Sequence, residues 1–275
     1  MSLQIHRDVL QGTPEWLALR RGILTASVIG QMITKGAPDP LTLDCPRCLA
    51  IAPDPCISTA RKVPTPIKTI HDERNAQVIK QPPVYRPATT DTARALTISL
   101  VAERITGWGE EVFPSRDMDR GSLSEPYARD LYAEQQGVEV EQVAFIVREI
   151  PGWKLGYSPD GLCGDDGLIE IKAPKQKTHL ATILADEVPA WNLAQCQAGL
   201  LVTGRKWLDF VSYCGGWPLF IKRVYPDPAW FNAITSAVER FESTAADMIA
   251  RYEAATEGKP AVERIDFYEE IGLVF

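Results

Sequence analysis

The sequence predicts an α/β or α+β fold, a mixed central sheet flanked by helices. Three observations carry that prediction. Helical runs, a trio of strand-like runs, two further helices and a returning hairpin follow one another along the chain. The glycine-rich turn "CGDDG" at 163–167 lies between two apolar segments, as in a hairpin. A second hairpin is written as "WLDFVSY" (207–213) and "LFIKRVY" (219–225) around Gly215 and Gly216.

Taken in order, residues 15–34 read as two short helices joined at Gly22, with Thr25 or Ser27 capping the second and leaving free N–H groups at its start. Residues 36–90 hold ten prolines and little periodicity, which marks an irregular insertion. The spacing predicts helices over 91–106 and 122–136, each ending at a glycine. Strands follow at 143–149, 153–158 and 168–172, then helices at 177–186 and 190–203. A long helix covers 227–256. The expected organisation is one domain over 1–275, with an inserted module at 40–90 and a C-terminal helix and tail at 227–275.

Hydrophobic content of 45% and charged content of 24% are those of a soluble globular protein. No apolar run approaches the roughly 20 residues that span a bilayer, and the first residues lack the apolar centre of a secretory signal. The expectation is a cytoplasmic protein with no membrane contact. The net charge of −7 argues against a generic nucleic-acid binder, but the charge is uneven. Residues 226–275 contain ten acidic and four basic side chains, a net of −6, whereas residues 1–35 carry +2 and residues 44–87 carry +3. A nucleic-acid contact would use the N-terminal half and the interior of a cleft.

The chemistry concentrates in "GYSPDGLCGDDGLIEIKAPK". The turn at 163–167 predicts that the strand "WKLGYS" delivers Asp160 beside the strand "LIEIK". Alternation then places Glu170 and Lys172 on one face and Ile169 and Ile171 in the core. Two carboxylates and an ammonium converging at a sheet edge suit a hard divalent cation such as Mg2+, with Mn2+ as a substitute. Asp160 and Glu170 are the candidate ligands, the Ile171 carbonyl is a third, and Lys172 is placed to position or activate a water. The same residues also fit a hairpin with a solvated charged face, so the motif alone leaves both readings open.

The order of helices, strand trio, helix and returning hairpin resembles the PD-(D/E)xK (restriction-endonuclease-like) nuclease core. Over nearly its whole length the chain resembles the phage lambda-type alkaline exonucleases, the YqaJ-like viral recombinase nucleases. The likeness is carried by "EWLALRRGILTAS", "RGSLSEPYARDLY", "GYSPDGL…GLIEIKAPK" and "AQCQAGLLVTGRKWLDFVSY", with "EEIGLVF" at the end. The resemblance implies a Mg2+-dependent exonuclease that degrades one strand of linear duplex DNA from the 5′ end to 5′ mononucleotides. It also implies a toroidal homotrimer, action at double-stranded DNA ends, and a phage single-strand annealing protein as partner. A same-fold alternative is an endonuclease or a Cas4-like single-strand nuclease. An alternative of another class is a non-catalytic DNA-end-binding scaffold.

By the same resemblance Glu125 completes the metal site and Gln195 contacts the scissile phosphate or the water. Residue by residue, Glu125 also fits the first turn of a helix, and Gln197 points about 100° away from Gln195. Arg20, Thr25 and Ser27 match a pocket for a terminal 5′-phosphate, which a guanidinium and hydroxyls would bind; plain capping is the other reading. Trp16 either stacks on DNA or joins the core.

The insertion departs from that pattern. Cys45, Cys48, Cys56 and His71 have the count and spacing of a Cys3His zinc set, and the segment resembles small zinc modules of phage DNA-processing proteins that read "CP-x-C … PC … H-x-x-R". Basic Arg61, Lys62, Lys68 and Arg74 would then meet DNA phosphates. The alternative is a proline-rich loop with three thiols; an iron–sulfur cluster would need a fourth cysteine.

Overall fold

The computed structural model describes residues 2–60, 63–110 and 115–265. The segment "EEIGLVF" and the side chains of Arg61 and Lys62 lie outside the described residues. Strand β1 (Ser2–His6) leads to helix α1 (Pro14–Arg20), whose N-cap Thr13 accepts the Trp16 N–H. The second expected helix is only a 3-10 turn over Ile29–Met32. Thr25 is drawn into a parallel bridge with Gly156, and the Ala26 N–H donates to the Gly156 carbonyl at 2.8 Å while Val28 and Ile29 donate to Thr25. Neither Thr25 nor Ser27 caps a helix, and those N–H groups are taken.

Strand β2 (Ile33–Gly36) precedes the insertion, which contains a 3-10 turn at Pro40–Thr42 and helix α2 (Asp72–Val78). Strand β3 (Val84–Pro87) pairs antiparallel with β2, Gly36 opposite Val84. The irregular segment is therefore residues 37–83, the loop of a β-hairpin. The base of that hairpin rests on the C-terminal helix through Tyr85, stacked 3.9 Å from Trp230.

Helix α3 (Asp91–Thr106) is bounded by the Thr90 side chain, which accepts the Ala93 N–H, and by Gly107 at φ +77°. Helix α4 (Arg116–Gln136) begins earlier than its apolar pattern does, and Ser115 caps it. Strands β4 (Val140–Glu141), β5 (Phe145–Ile150), β6 (Trp153–Tyr157), β7 (Gly161–Cys163) and β8 (Gly167–Lys172) follow. Helices α5 (Gln176–Ala185) and α6 (Ala190–Thr203), strands β9 (Trp207–Ser212) and β10 (Phe220–Val224), and helix α7 (Pro228–Thr256) complete the chain. Among the described residues no helix is long and apolar enough to cross a membrane.

The strands fall into a three-stranded sheet, β1-β5-β6, a five-stranded sheet, β10-β9-β8-β7-β4, and the β2–β3 pair. Only β8 and β9 run parallel among the pairs of the five-stranded sheet. The hairpin at 163–167 joins β7 to β8, and β6 pairs with β5 instead. Ser158 and Pro159 break the extended run, because a proline cannot donate to a ladder.

Strand β8 is covered on both faces, as expected of a parallel central strand. Leu168 joins the main core with Leu155, Leu208, Phe210 and Phe241. Ile169 and Ile171 join a second cluster with Ala128 and Tyr132 of α4.

Candidate active site

Asp160 stands at the seam between the two larger sheets, one residue before β7. Gly161 makes that position attainable: a Cβ there would lie 2.2 Å from Val140 Cγ1 and 3.0 Å from Ile169, so only glycine lets β4, β7 and β8 close around the turn. Asp160 Oδ2 accepts the Ile171 N–H at 2.6 Å, and its carbonyl accepts Arg129 Nε at 2.7 Å.

Glu170 is 1% exposed, and both its oxygens are engaged. Oε1 accepts Lys172 Nζ at 2.6 Å and Gln195 Nε2 at 2.5 Å; Oε2 accepts the Tyr157 hydroxyl at 3.0 Å. Glu125 lies mid-helix in α4, not in its first turn, and pairs with Arg129 one turn later. Glu170, Lys172 and Gln195 thus meet directly, Asp160 is held on the Ile171 N–H between Glu170 and Lys172, and Glu125 is coupled to them electrostatically. Gln197 faces away, donating to the Tyr225 carbonyl at 2.9 Å and accepting the Asp227 N–H at 3.0 Å.

The electrostatics follow from burying these charges together. Burial, then Glu170 and Glu125, push the Asp160 carboxyl well above its usual range, with Lys172 and the Ile171 N–H opposing. Burial and Glu170 also raise Glu125, against Arg129 and Lys172. Burial would lower Lys172, but Glu170 and Asp160 override it and hold the ammonium protonated. An excess of carboxylate oxygen over cation around the buried Glu170 fits a divalent metal, and an all-oxygen donor set is that of a hard one.

Tyr157 and Arg129 also serve the site, although the sequence did not single them out. Tyr157 sits three residues before Asp160, but aromatic residues in strands are ordinarily core. Arg129 is four residues after Glu125, the helical spacing of an ion pair. Tyr157→Phe is expected to weaken divalent-cation binding roughly 10–100-fold through loss of orientation of Glu170. The Mg2+ concentration for half-maximal cleavage would report it, and an unchanged value would remove Tyr157 from this positioning role.

Close by, Trp16, Arg20, Thr25 and Ser27 form a second cluster. Trp16 Nε1 donates to Ser158 Oγ and to the Ala144 carbonyl, both at 3.1 Å. The Arg20 guanidinium lies 4.0 Å from the Trp16 ring centroid. It donates to Ser27 Oγ at 3.4 Å, which is 3.1 Å from Thr25 Oγ1. One indole face is therefore taken by Arg20. Burial holds the Arg20 pKa below its usual value, with Glu103 opposing.

In the insertion, the ligand atoms of Cys45, Cys48, Cys56 and His71 lie within 4.8 Å of one another. Arg74 cannot meet DNA phosphates. It is fully buried and donates to the carbonyls of Pro40, Leu43 and Asp54. Lys68 is exposed.

A model of the YqaJ-like viral recombinase domain matches residues 86–206, the stretch that holds Glu125, Asp160, Glu170, Lys172 and Gln195. The structure is similar to that of an alkaline exonuclease from Laribacter hongkongensis, at 26% identity and a TM-score of 0.64, covering 89% of this chain and 98% of that one. The same enzyme in complex with dAMP gives 26% identity, a TM-score of 0.63 and the same coverage. A phage-related exonuclease from Haemophilus somnus shares the fold at 10% identity and a TM-score of 0.50, covering 84% of this chain and 96% of that one. No curated protein sequence matches the chain. Fold, site and these likenesses define a nuclease with a PD-(D/E)xK-like core. Within that class, the chain is similar to the YqaJ-like viral recombinase domain over residues 86–206 and resembles the alkaline exonucleases.

Proposed function

We propose that the protein is a Mg2+-dependent 5′-to-3′ exonuclease that degrades one strand of linear double-stranded DNA to 5′ mononucleotides. The observation that carries this reading is the convergence of Asp160, Glu170, Lys172 and Gln195 at one end of β8. The dAMP complex of the Laribacter hongkongensis enzyme supports a 5′ deoxynucleotide product. Asp160, Glu170 and the Ile171 carbonyl would hold the cation, with Glu125 beside them; Mn2+ would substitute. Bound there, the cation supplies Lewis-acid charge at the scissile phosphate.

The chain's own groups do the rest. Lys172 would position or activate the attacking water. Gln195 fixes Glu170 on one side and offers its amide to the phosphate on the other. Arg20, Thr25 and Ser27 would receive the terminal 5′-phosphate, with Trp16 bracing Arg20. By likeness to the phage enzymes, the assembly would be a homotrimer in the host cytoplasm. Its single-stranded product would pass to an annealing protein for recombination.

Digestion of one linear duplex, with 5′-phosphate or 5′-hydroxyl ends, beside the same DNA as a closed circle tests this. Mononucleotide release from the linear form alone, requiring Mg2+ and faster with 5′-phosphate, is expected. Arg20→Ala should slow the phosphorylated end roughly 10–100-fold, the value of a lost charged hydrogen bond, and leave the hydroxyl end little changed. Cutting of the circle would make the enzyme an endonuclease, and preference for single strands would make it Cas4-like. DNA binding without cleavage would make it a scaffold.

A further inference from the structure

The insertion between β2 and β3 has almost no apolar interior. Among the described residues from 37 to 83, only Cys45, Cys48, Cys56, Arg74 and Val78 are buried. Around the thiols lie only the partly buried Ala50, Ile57, Ile67 and Ile70. A segment of this size does not hold together on so little apolar burial; disulfides or a metal ordinarily make up the difference. The thiols are free, so no disulfide does so here.

What the segment has instead is a set of convergent soft donors. Three sulfurs and a ring nitrogen lie within 4.8 Å of one another, and Cys45 Sγ is 3.4 Å from His71 Nδ1. Metal bonds of about 2.3 Å to sulfur and about 2.0 Å to nitrogen, at the tetrahedral angle, space such donors about 3.5–3.8 Å apart.

The surrounding backbone is arranged for the sulfurs. Leu49 adopts φ +60°, a conformation a leucine rarely takes. The chain thereby folds back so that the Cys45 N–H reaches the Ala50 carbonyl at 2.9 Å and the Leu49 N–H reaches the Cys45 carbonyl at 2.8 Å. The Ile57 N–H points at Cys48 Sγ (3.4 Å), and Arg74 Nη1 at Cys56 Sγ (3.6 Å). Donors aimed at sulfur are what metal-bound thiolates gather around them.

We propose that Cys45, Cys48, Cys56 and His71 bind a tetrahedral structural zinc ion that serves as the core of this module. Three thiolates and an imidazole select zinc over the hard cation of the nuclease site. Arg74 then ties the ligand loops to the Pro40–Thr42 turn. The site is separate from Asp160 and Glu170 in residues and chemistry, and it stands whether or not the nuclease reading does.

Elemental analysis of the full-length protein, purified under reducing conditions without chelator, is the test. About one equivalent of zinc per chain is expected, kept in Cys214→Ser and lost in Cys48→Ser. Cys48→His restores a zinc donor and is expected to retain the metal, which separates ligand loss from misfolding. Co2+ in place of zinc should give the intense visible bands of tetrahedral thiolate ligation. Zinc stripping should open residues 40–80 to protease while the rest of the chain resists. Absence of zinc and of cobalt uptake in the reduced protein would overturn the proposal, as would equal uptake by Cys48→Ser or an iron–sulfur chromophore at this set. None of these readouts depends on DNA cleavage.

Discussion

Glu170→Gln is expected to lower the rate of DNA hydrolysis by at least about 10³-fold. Losing several kcal/mol of charge stabilisation, at about 1.4 kcal/mol per tenfold, gives that magnitude. The substitution keeps the volume of a side chain that is 1% exposed, so no cavity opens. Its amide N–H can donate to the Tyr157 oxygen, while the remaining oxygen still receives Lys172 and Gln195. Lys172 loses an ionic partner but is one-third exposed and can be resolvated. One negative charge leaves a group that repels Asp160 and Glu125, so thermal stability without metal should hold or rise. Asp160→Asn should behave alike. Turnover within tenfold of wild type in either variant would show that these carboxylates do not hold the catalytic cation.

Arg223→Met is expected to cost about 3 kcal/mol of stability, without touching the site. Asp209 of β9 is 1% exposed, and Arg223 of β10 meets it with two hydrogen bonds of 2.8 Å; the Tyr132 hydroxyl supplies a third at 2.8 Å from α4. The arginine side chain is 42% exposed and gains little by itself. The cost arises on the carboxylate, which would remain buried with only Tyr132 to satisfy it. Methionine keeps the bulk that lies over the Trp207 ring at 3.8 Å. Urea unfolding would measure the loss, and the double variant Asp209→Asn/Arg223→Met, which removes the charge and keeps an acceptor for the Tyr132 hydroxyl, should recover most of it. If the double variant is as unstable as the single one, lost packing and not a stranded charge is the cause.

The elements whose ends are written in local chemistry were legible from sequence. Helix α3 starts at its Thr90 cap and ends at Gly107, and α6 ends at Gly204 at φ +72°. Helix α4 was legible only from its middle, because its first turns carry Asp117, Asp119, Arg120 and Gly121 and show no apolar stripe. The expected helix after Gly22 failed for a tertiary reason: the Thr25 backbone is recruited by Gly156, and one bridge outweighs local preference over so short a segment.

The site shows the same division. The spacing of Glu170 and Lys172 on β8 was legible because alternation is a local property. Which strand delivers Asp160 was not, since Pro159 hides a change of sheet within an apparently continuous run. Arg74 looked like a DNA contact because charge is visible in a sequence while the poverty of the interior that encloses it is not. Tyr157 could not be told from an ordinary core aromatic until Glu170 was seen opposite it.

The pairing of Gly36 with Val84 brings the two ends of a long segment to one rung of a ladder. For the rest of the chain, whatever lies between those rungs is equivalent to a turn. Lengthening such a loop is thermodynamically mild, about 0.6 kcal/mol of closure entropy for each doubling. The rung is therefore a socket: the length of what is plugged into it places little thermodynamic demand on the strands that position Asp160 and Glu170.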